Sequence, residues 1–222
     1  MADESVKLLC VWSSPYSMRA MLALELKSIP YERVEQDVRS KGELLLRSNP
    51  VHKKVPVLIH NGRPIAESSV IIEYIDEQWR DHGDEILPRD PYARAQERFW
   101  ADFVERKIFA ESANVVFRAT GQEDFLASCG ILEEELRKSN RAPYFGGAKL
   151  GLVDIVLVST ALCSKSLVEV GGLRLPSRDA CPRFLALLDA IREHPLVRSS
   201  LPSPDKLRDF FATAMPWIKS LS

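Results

Sequence analysis

Val6-Lys7-Leu8-Leu9-Cys10-Val11-Trp12 runs directly into Ser13-Ser14-Pro15-Tyr16-Ser17, an apolar strand followed by a proline turn. Ser14-Pro15-Tyr16-Ser17 has the outline of a Cys-Pro-Tyr-Cys redox turn, with both thiols replaced by hydroxyls. A serine cannot shuttle disulfides, but it can donate a hydrogen bond to sulfur on another molecule. Such a turn suits a pocket that activates a thiol carried by a ligand rather than its own. The plainer reading is that Ser14 caps the helix that Pro15 begins. Residue physics alone leaves the two readings even.

Outward from this turn, the periods alternate. Met18, Met21, Leu22 and Leu26 predict a helix from Pro15 to Lys27. Tyr31 to Asp37 alternates as a strand, and Lys41 to Arg47 forms a short helix stopped by Asn49-Pro50. Val55 to His60 and Arg63 to Ala66 are strands joined by an Asn61-Gly62 hairpin turn. Glu67-Ser68 opens a helix through Val70, Ile71, Tyr74, Ile75 and Trp79. The order βαβαββα is that of a thioredoxin-like domain, expected over residues 1–80. Residues 81–91, with Gly83, Pro88 and Pro91, read as a linker.

Beyond the linker, residues 92–222 carry helical periods only. The spacing predicts one long helix from Tyr92 to Phe117, then helices over Glu123–Lys138, Gly151–Leu167, Pro182–Arg192 and Pro204–Phe211. Gly151–Leu167 is nearly all apolar and belongs at the centre of a bundle. The fold class is therefore α/β followed by all-α: a thioredoxin-like domain, then a helical bundle domain.

Bulk composition narrows the function. The 222 residues are 45% hydrophobic and carry 30 basic against 31 acidic side chains, which gives no support to a nucleic-acid binder. Cys10, Cys129, Cys163 and Cys181 are scattered, with no metal-type spacing; Cys10 and Cys163 lie in apolar runs and read as buried free thiols, which suits a reducing compartment. No leader and no run of membrane-spanning length is visible, so the expectation is a cytoplasmic protein without a metal or a membrane.

Several segments together resemble the plant tau-class glutathione transferases. They are Trp12-Ser13-Ser14-Pro15-Tyr16-Ser17, Asn49-Pro50-Val51-His52-Lys53-Lys54-Val55-Pro56-Val57-Leu58, Glu67-Ser68 and Arg98-Phe99-Trp100-Ala101. Tyr144-Phe145-Gly146-Gly147 and Gly151-Leu152-Val153-Asp154-Ile155 extend the likeness across nearly the whole chain. The resemblance implies a homodimer that binds glutathione on the first domain and a small hydrophobic electrophile against the second. It implies that the glutathione sulfur attacks that electrophile, with reduction of organic hydroperoxides as a further expectation.

By the same resemblance Ser14 is the catalytic hydroxyl. A free thiol with a pKa near ~8.5 is mostly protonated at neutral pH. A hydroxyl hydrogen bond and a helix N-terminus both favour the thiolate. Ser13 and Ser17 are neighbours without that role. Val55-Pro56 is expected to be a cis-proline corner at which a peptide pairs with Val55. Ser68 and the helix end would hold the γ-glutamyl carboxylate, and Glu67 its ammonium. Lys41 and Lys54 are placed near the glycine carboxylate, with Lys53 outside. The acceptor pocket is expected to be lined by Val11, Ser13, Tyr16, Phe109, Ala113, Val116 and Phe117 and closed by Phe211, Met215 and Trp217. Asp154 is assigned to folding, and Glu77 with Arg94 or Arg98 to contacts between subunits.

This chain departs from the pattern around Gly121 and Gly130, and at Tyr16 a hydroxyl is added where Phe is more usual. Two rival functions stay open. A thiol-disulfide or dehydroascorbate reductase needs a cysteine at position 14 or 17. A non-catalytic carrier of hydrophobic ligands would have little use for Ser14, Lys41, Lys54, Glu67 and Ser68 together.

Overall fold

The computed structural model describes residues 5–37 and 40–219, so the outer limits of the two expected units fall outside it. Strand β1 (Val6–Cys10) is buried except at Lys7 and lies inside a four-stranded sheet. It runs parallel to β2 (Glu32–Glu35) and antiparallel to β3 (Val57–His60), which pairs with β4 (Arg63–Ala66). The order is β2-β1-β3-β4, and Leu9 faces Val34 on one side and Val57 on the other. Asn61 and Gly62 make the hairpin turn with φ of 49° and 78°, as a two-residue turn of this kind requires.

Helix α1 (Pro15–Leu26) is buried around most of its circumference, between α3 (Ser68–Gln78) on one side and a helix of the C-terminal half on the other. Two cations go down with it: Arg19 and Lys27 are both 0% exposed. Lys27 Nζ lies 2.6 Å from Asp76 of α3. The same carboxylate accepts the backbone N–H of Ile86 at 3.0 Å and of Leu87 at 3.2 Å. One side chain thus ties the end of α1, the helix α3 and the linker together. Short α2 (Glu43–Ser48) covers the other face of the sheet at Leu9 and Val57 through Leu45.

The C-terminal half is helical throughout. Asp90 caps α4 (Pro91–Phe103) by accepting the Ala93 N–H at 2.8 Å. The single long helix expected from Tyr92 to Phe117 is broken in register: Val104–Phe109 is π-helical before α5 (Ala110–Arg118) resumes. Then follow α6 (Gln122–Ser139), the buried central α7 (Leu152–Glu169), α8 (Pro182–Glu193) and α9 (Pro195–Ser200), which no sequence period announced. Helix α10 (Pro204–Lys219) runs past the expected end at Phe211 and includes Pro216, because Ala214 and Met215 are buried beside it. Arg98, expected between subunits, pairs with Glu73 of its own chain at 2.6 Å.

The start of α7 is organised by Asp154, which accepts the N–H groups of Phe145, Gly146 and Gly151 at 2.8, 2.9 and 2.8 Å. Beside it Glu97 is 3% exposed and takes Arg141 at 2.8 Å, while its second oxygen has no partner among the described residues. Burial and the neighbouring Asp154 charge push Glu97 up to about 7, and burial pushes Asp154 up to about 6. The folded state therefore holds these protons more tightly than the unfolded chain, and stability falls as pH rises from about 3.8, the unfolded Asp154 value, to about 7, the folded Glu97 value. Glu97→Gln is expected to flatten that slope and to stabilise the protein by about 1–3 kcal/mol at pH 8, read by urea unfolding at pH 5 and pH 8. An unchanged slope would contradict the assignment.

Asp76→Ala strands a buried ammonium and two buried N–H groups, so it should cost about 3–5 kcal/mol in urea unfolding. Asp81, which is 88% exposed in its pairing with Arg89, serves as the comparison. Asp81→Ala should cost less than about 0.5 kcal/mol.

Candidate functional site at the N-terminal end of α1

The turn after β1 holds its two critical serines in different states. Ser17 is 0% exposed, and its Oγ accepts the Val11 N–H at 3.2 Å, stitching the strand end to α1. Ser14 is half-buried; its N–H donates to Val11 O at 2.9 Å and its Oγ accepts the Ser17 N–H at 3.3 Å. The capping role is real. It uses only a lone pair, however, and no described residue accepts the Ser14 O–H. A hydroxyl can cap with its oxygen and donate with its proton at once. Capping and donation to sulfur are therefore compatible.

Two cavities meet at this turn, and a third adjoins one of them. An apolar pocket of about 420 Å³ holds Val11, Ser13, Ser14, Tyr16, Phe109, Ala113 and Phe117. Its remaining wall comes from Ser159, Cys163 and Leu167 of α7 and from Phe210, Phe211, Trp217 and Ile218 of α10. A polar groove of about 340 Å³ is lined by Tyr16, Asn49, His52, Lys54, Val55, Pro56, Glu67, Ser68 and Glu105. Lys54 and Val55 also line a third pocket of about 220 Å³, shared with Lys41 and Lys53. Tyr16 belongs to both the groove and the apolar pocket and is the wall between them.

Two residues expected in the apolar pocket lie elsewhere. Val116 is 2% exposed and packs on the backbone at Gly171, where an added Cβ would come within 2.7 Å of it. It shares a helical face with Phe109 and Ala113 by spacing, but that chain segment covers it. Met215 is buried in the core beside Ala214 rather than facing the cavity. The α7 contribution had no signal in the sequence beyond an apolar run. Helix α10 is held over the turn by Phe210, which meets the Trp12 ring edge-on at 5.1 Å, and by Lys206 over the same ring at 4.4 Å.

The partition at Tyr16 is supported from behind. Arg19 pairs with Glu105 of the π-helical turn, and its guanidinium lies 5.0 Å from the Tyr16 ring and 4.9 Å from the Phe109 ring. Tyr16 and Phe109 meet edge to face at 5.5 Å. Burial and the hydrogen bond to Glu105 raise the Tyr16 hydroxyl pKa, so it is a neutral phenol. Burial also pushes the Cys163 thiol up to about 12, which keeps it from acting as a thiolate in the apolar pocket.

The groove is built by a stitched turn. Asn49, 4% exposed, donates to Lys54 O at 3.0 Å, accepts the His52 N–H at 3.1 Å and accepts the Lys53 N–H on its own carbonyl at 2.8 Å. The sequence marked Asn49 only as a helix stop; this organising role is visible in the folded turn alone. The Val55–Pro56 bond is cis. Glu67 has φ 74° and ψ 117°, a conformation few residues with a Cβ adopt, immediately before α3. Ser68 begins that helix, whose first-turn N–H groups have no acceptor within the helix, an arrangement suited to an anion. His52 Nε2 lies 3.7 Å from Glu67 Oε1. Among the described residues no cluster of His, Cys, Asp and Glu could hold a metal ion, and no helix is long and apolar enough to cross a membrane.

Residues 4–77 match the family description "Glutathione S-transferase, N-terminal domain". The probable glutathione S-transferase parC of Nicotiana tabacum is 40% identical over 216 residues, covering 95% of each chain. Among solved structures, the tau-class glutathione S-transferase of mango, Mangifera indica, is 38% identical with a TM-score of 0.82, covering 93% of this chain and 96% of that one. Rice GST1, solved in complex with glutathione, is 36% identical with a TM-score of 0.79, covering 96% and 98%. Matched at this identity over nearly its whole length, with the thioredoxin-like sheet and helical half in the same order, the chain belongs to the glutathione S-transferase family.

Proposed function

We propose that this chain joins the sulfur of glutathione to small apolar electrophiles, with the Ser14 hydroxyl holding the thiolate. The observation that carries the reading is the position of Ser14 on the apolar pocket, next to the Tyr16 wall, with its O–H available. The glycine carboxylate goes to Lys41 and Lys54, the cysteinyl backbone pairs with Val55, and the γ-glutamyl carboxylate meets Ser68 and the start of α3. Glu67 faces the γ-glutamyl ammonium. Residues up to about position 80 thus bind glutathione, and the helical half supplies the acceptor wall, with Phe109, Ala113 and Phe117 opposite Val11 and Ser13.

In this reading the thiol proton leaves to water through the open groove, and the Ser14 O–H together with the N-terminal end of α1 stabilises the anion left behind. A sulfur lone pair then attacks the electrophilic carbon. The leaving group departs with its bonding electrons, or in an addition the resulting carbanion takes a proton from water. Ser14 changes neither its bonding nor its protonation, so it is an electrostatic stabiliser rather than a base. The disulfide-exchange alternative has no sulfur to use at positions 14 or 17.

Val70 of α3 and Tyr92 and Phe99 of α4 are 55%, 74% and 59% exposed, and Val51 in the turn after α2 is 79% exposed, which supports a homodimer covering such surfaces.

Ser14→Ala removes a hydrogen bond to a charged sulfur, an interaction of about 1.5–3 kcal/mol. Turnover with glutathione and an electrophilic nitroarene should fall by about 10- to 100-fold, while glutathione affinity stays within about threefold because its other contacts remain. Equal turnover in the two proteins would overturn the serine mechanism. Binding without turnover in the unmodified protein would favour the carrier.

A further inference from the structure

The pocket at the far end of the groove carries more positive charge than one carboxylate demands. Lys41, Lys53 and Lys54 all line it, with Asp37 as the lone carboxylate of the lining. None of the three lysines has an ion-pair partner among the described residues. In extended chain, adjacent side chains point to opposite sides, so Lys53 and Lys54 should diverge. They do not, because Lys53 has φ 54°, a left-handed turn that breaks the alternation. The Lys53 N–H on Asn49 O holds that turn, and the Asn49 side chain ties down the residues on either side.

We infer that Lys53 is a third cation for the C-terminal carboxylate of the thiol peptide and so helps select peptides that end in a free carboxylate. The inference rests on the glutathione reading above and adds a specificity-determining residue to it. A lysine turned into a pocket already holding two others meets their repulsion when the pocket is empty. An entering carboxylate relieves that repulsion, so the third charge adds most to ligands that bring one. The contribution is electrostatic and solvent-facing, hence modest and sensitive to salt.

The test is calorimetric titration of the full chain with glutathione and with its glycine monoethyl ester, which keeps the length and loses the charge. Lys53→Asn removes the cation while retaining a residue that tolerates φ above zero; Lys53→Arg keeps the charge. Lys53→Asn is expected to weaken glutathione by about three- to fivefold at low salt, to leave ester affinity unchanged, and to lose most of this effect at high salt. Lys53→Arg should bind glutathione as the unmodified protein does. Equal weakening of both ligands by Lys53→Asn would mean that the turn alone was disturbed, and no weakening of either that Lys53 is only solvated charge; both overturn the inference. Failure of the unmodified protein to bind glutathione would instead overturn the reading beneath it, and this inference with it.

Discussion

The structure depends on how two buried positive charges in one helix are neutralised. Arg19 and Lys27 are both fully enclosed, and an unpaired charge in such a place is not tolerated. Each reaches a carboxylate on a different part of the chain: Glu105 in the helical half, and Asp76 on α3, which also gathers the linker backbone. Helix α1 is thereby fixed against both halves at once. Buried pairs of this kind add little net stability over well-packed apolar residues, but breaking one is costly, so they act as strong constraints on register. Apart from Glu25, which pairs with Arg33, what remains accessible of α1 is its N-terminal end, where Ser14, Tyr16 and the first-turn dipoles lie.

That geometry explains why two cavities of opposite character meet there. The sheet side contributes the polar turn around Asn49, the Glu67–Ser68 corner and the lysines, all suited to a charged peptide. The helical half contributes aromatic and aliphatic walls from the π-helical turn, α5, α7 and α10, suited to an apolar partner. The Tyr16 ring divides them, braced by Arg19 and Phe109. A nucleophile bound on one side and an electrophile on the other would meet at the hydroxyl between them. Proximity of this sort, together with a positioned donor, is what a sulfur-transfer reaction requires of a protein.

Much of this was legible in the residues, for identifiable reasons. Apolar period and turn chemistry located β1, α1, the Asn61-Gly62 hairpin and the apolar α7, because each depends on local sequence. Ser14 was legible as both cap and donor, and the folded turn shows that the two uses are compatible. The interruption at Val104–Phe109 was not legible, since a π-helical turn leaves the helical period of its neighbours intact. Val116 satisfies the spacing of the pocket face yet is covered by Gly171, a contact made by a segment distant in sequence. Lys53 was left outside the site, and its left-handed backbone, visible only in the folded turn, brings it beside Lys41 and Lys54. The failures are all tertiary: they concern what covers a face or bends a turn.

In the proposed mechanism the Ser14 hydroxyl lowers the pKa of the sulfur it faces. Titrating the ultraviolet absorbance of the thiolate of enzyme-bound glutathione against pH, in the unmodified protein and in Ser14→Ala, measures that directly. A free thiol ionises at about 8.5; bound glutathione is expected to ionise at about 6.5–7.5, since a hydrogen bond to the anion is equivalent to one to two pKa units. In Ser14→Ala the value should return most of the way to that of the free thiol. Coincident titration curves for the two proteins would contradict the claim.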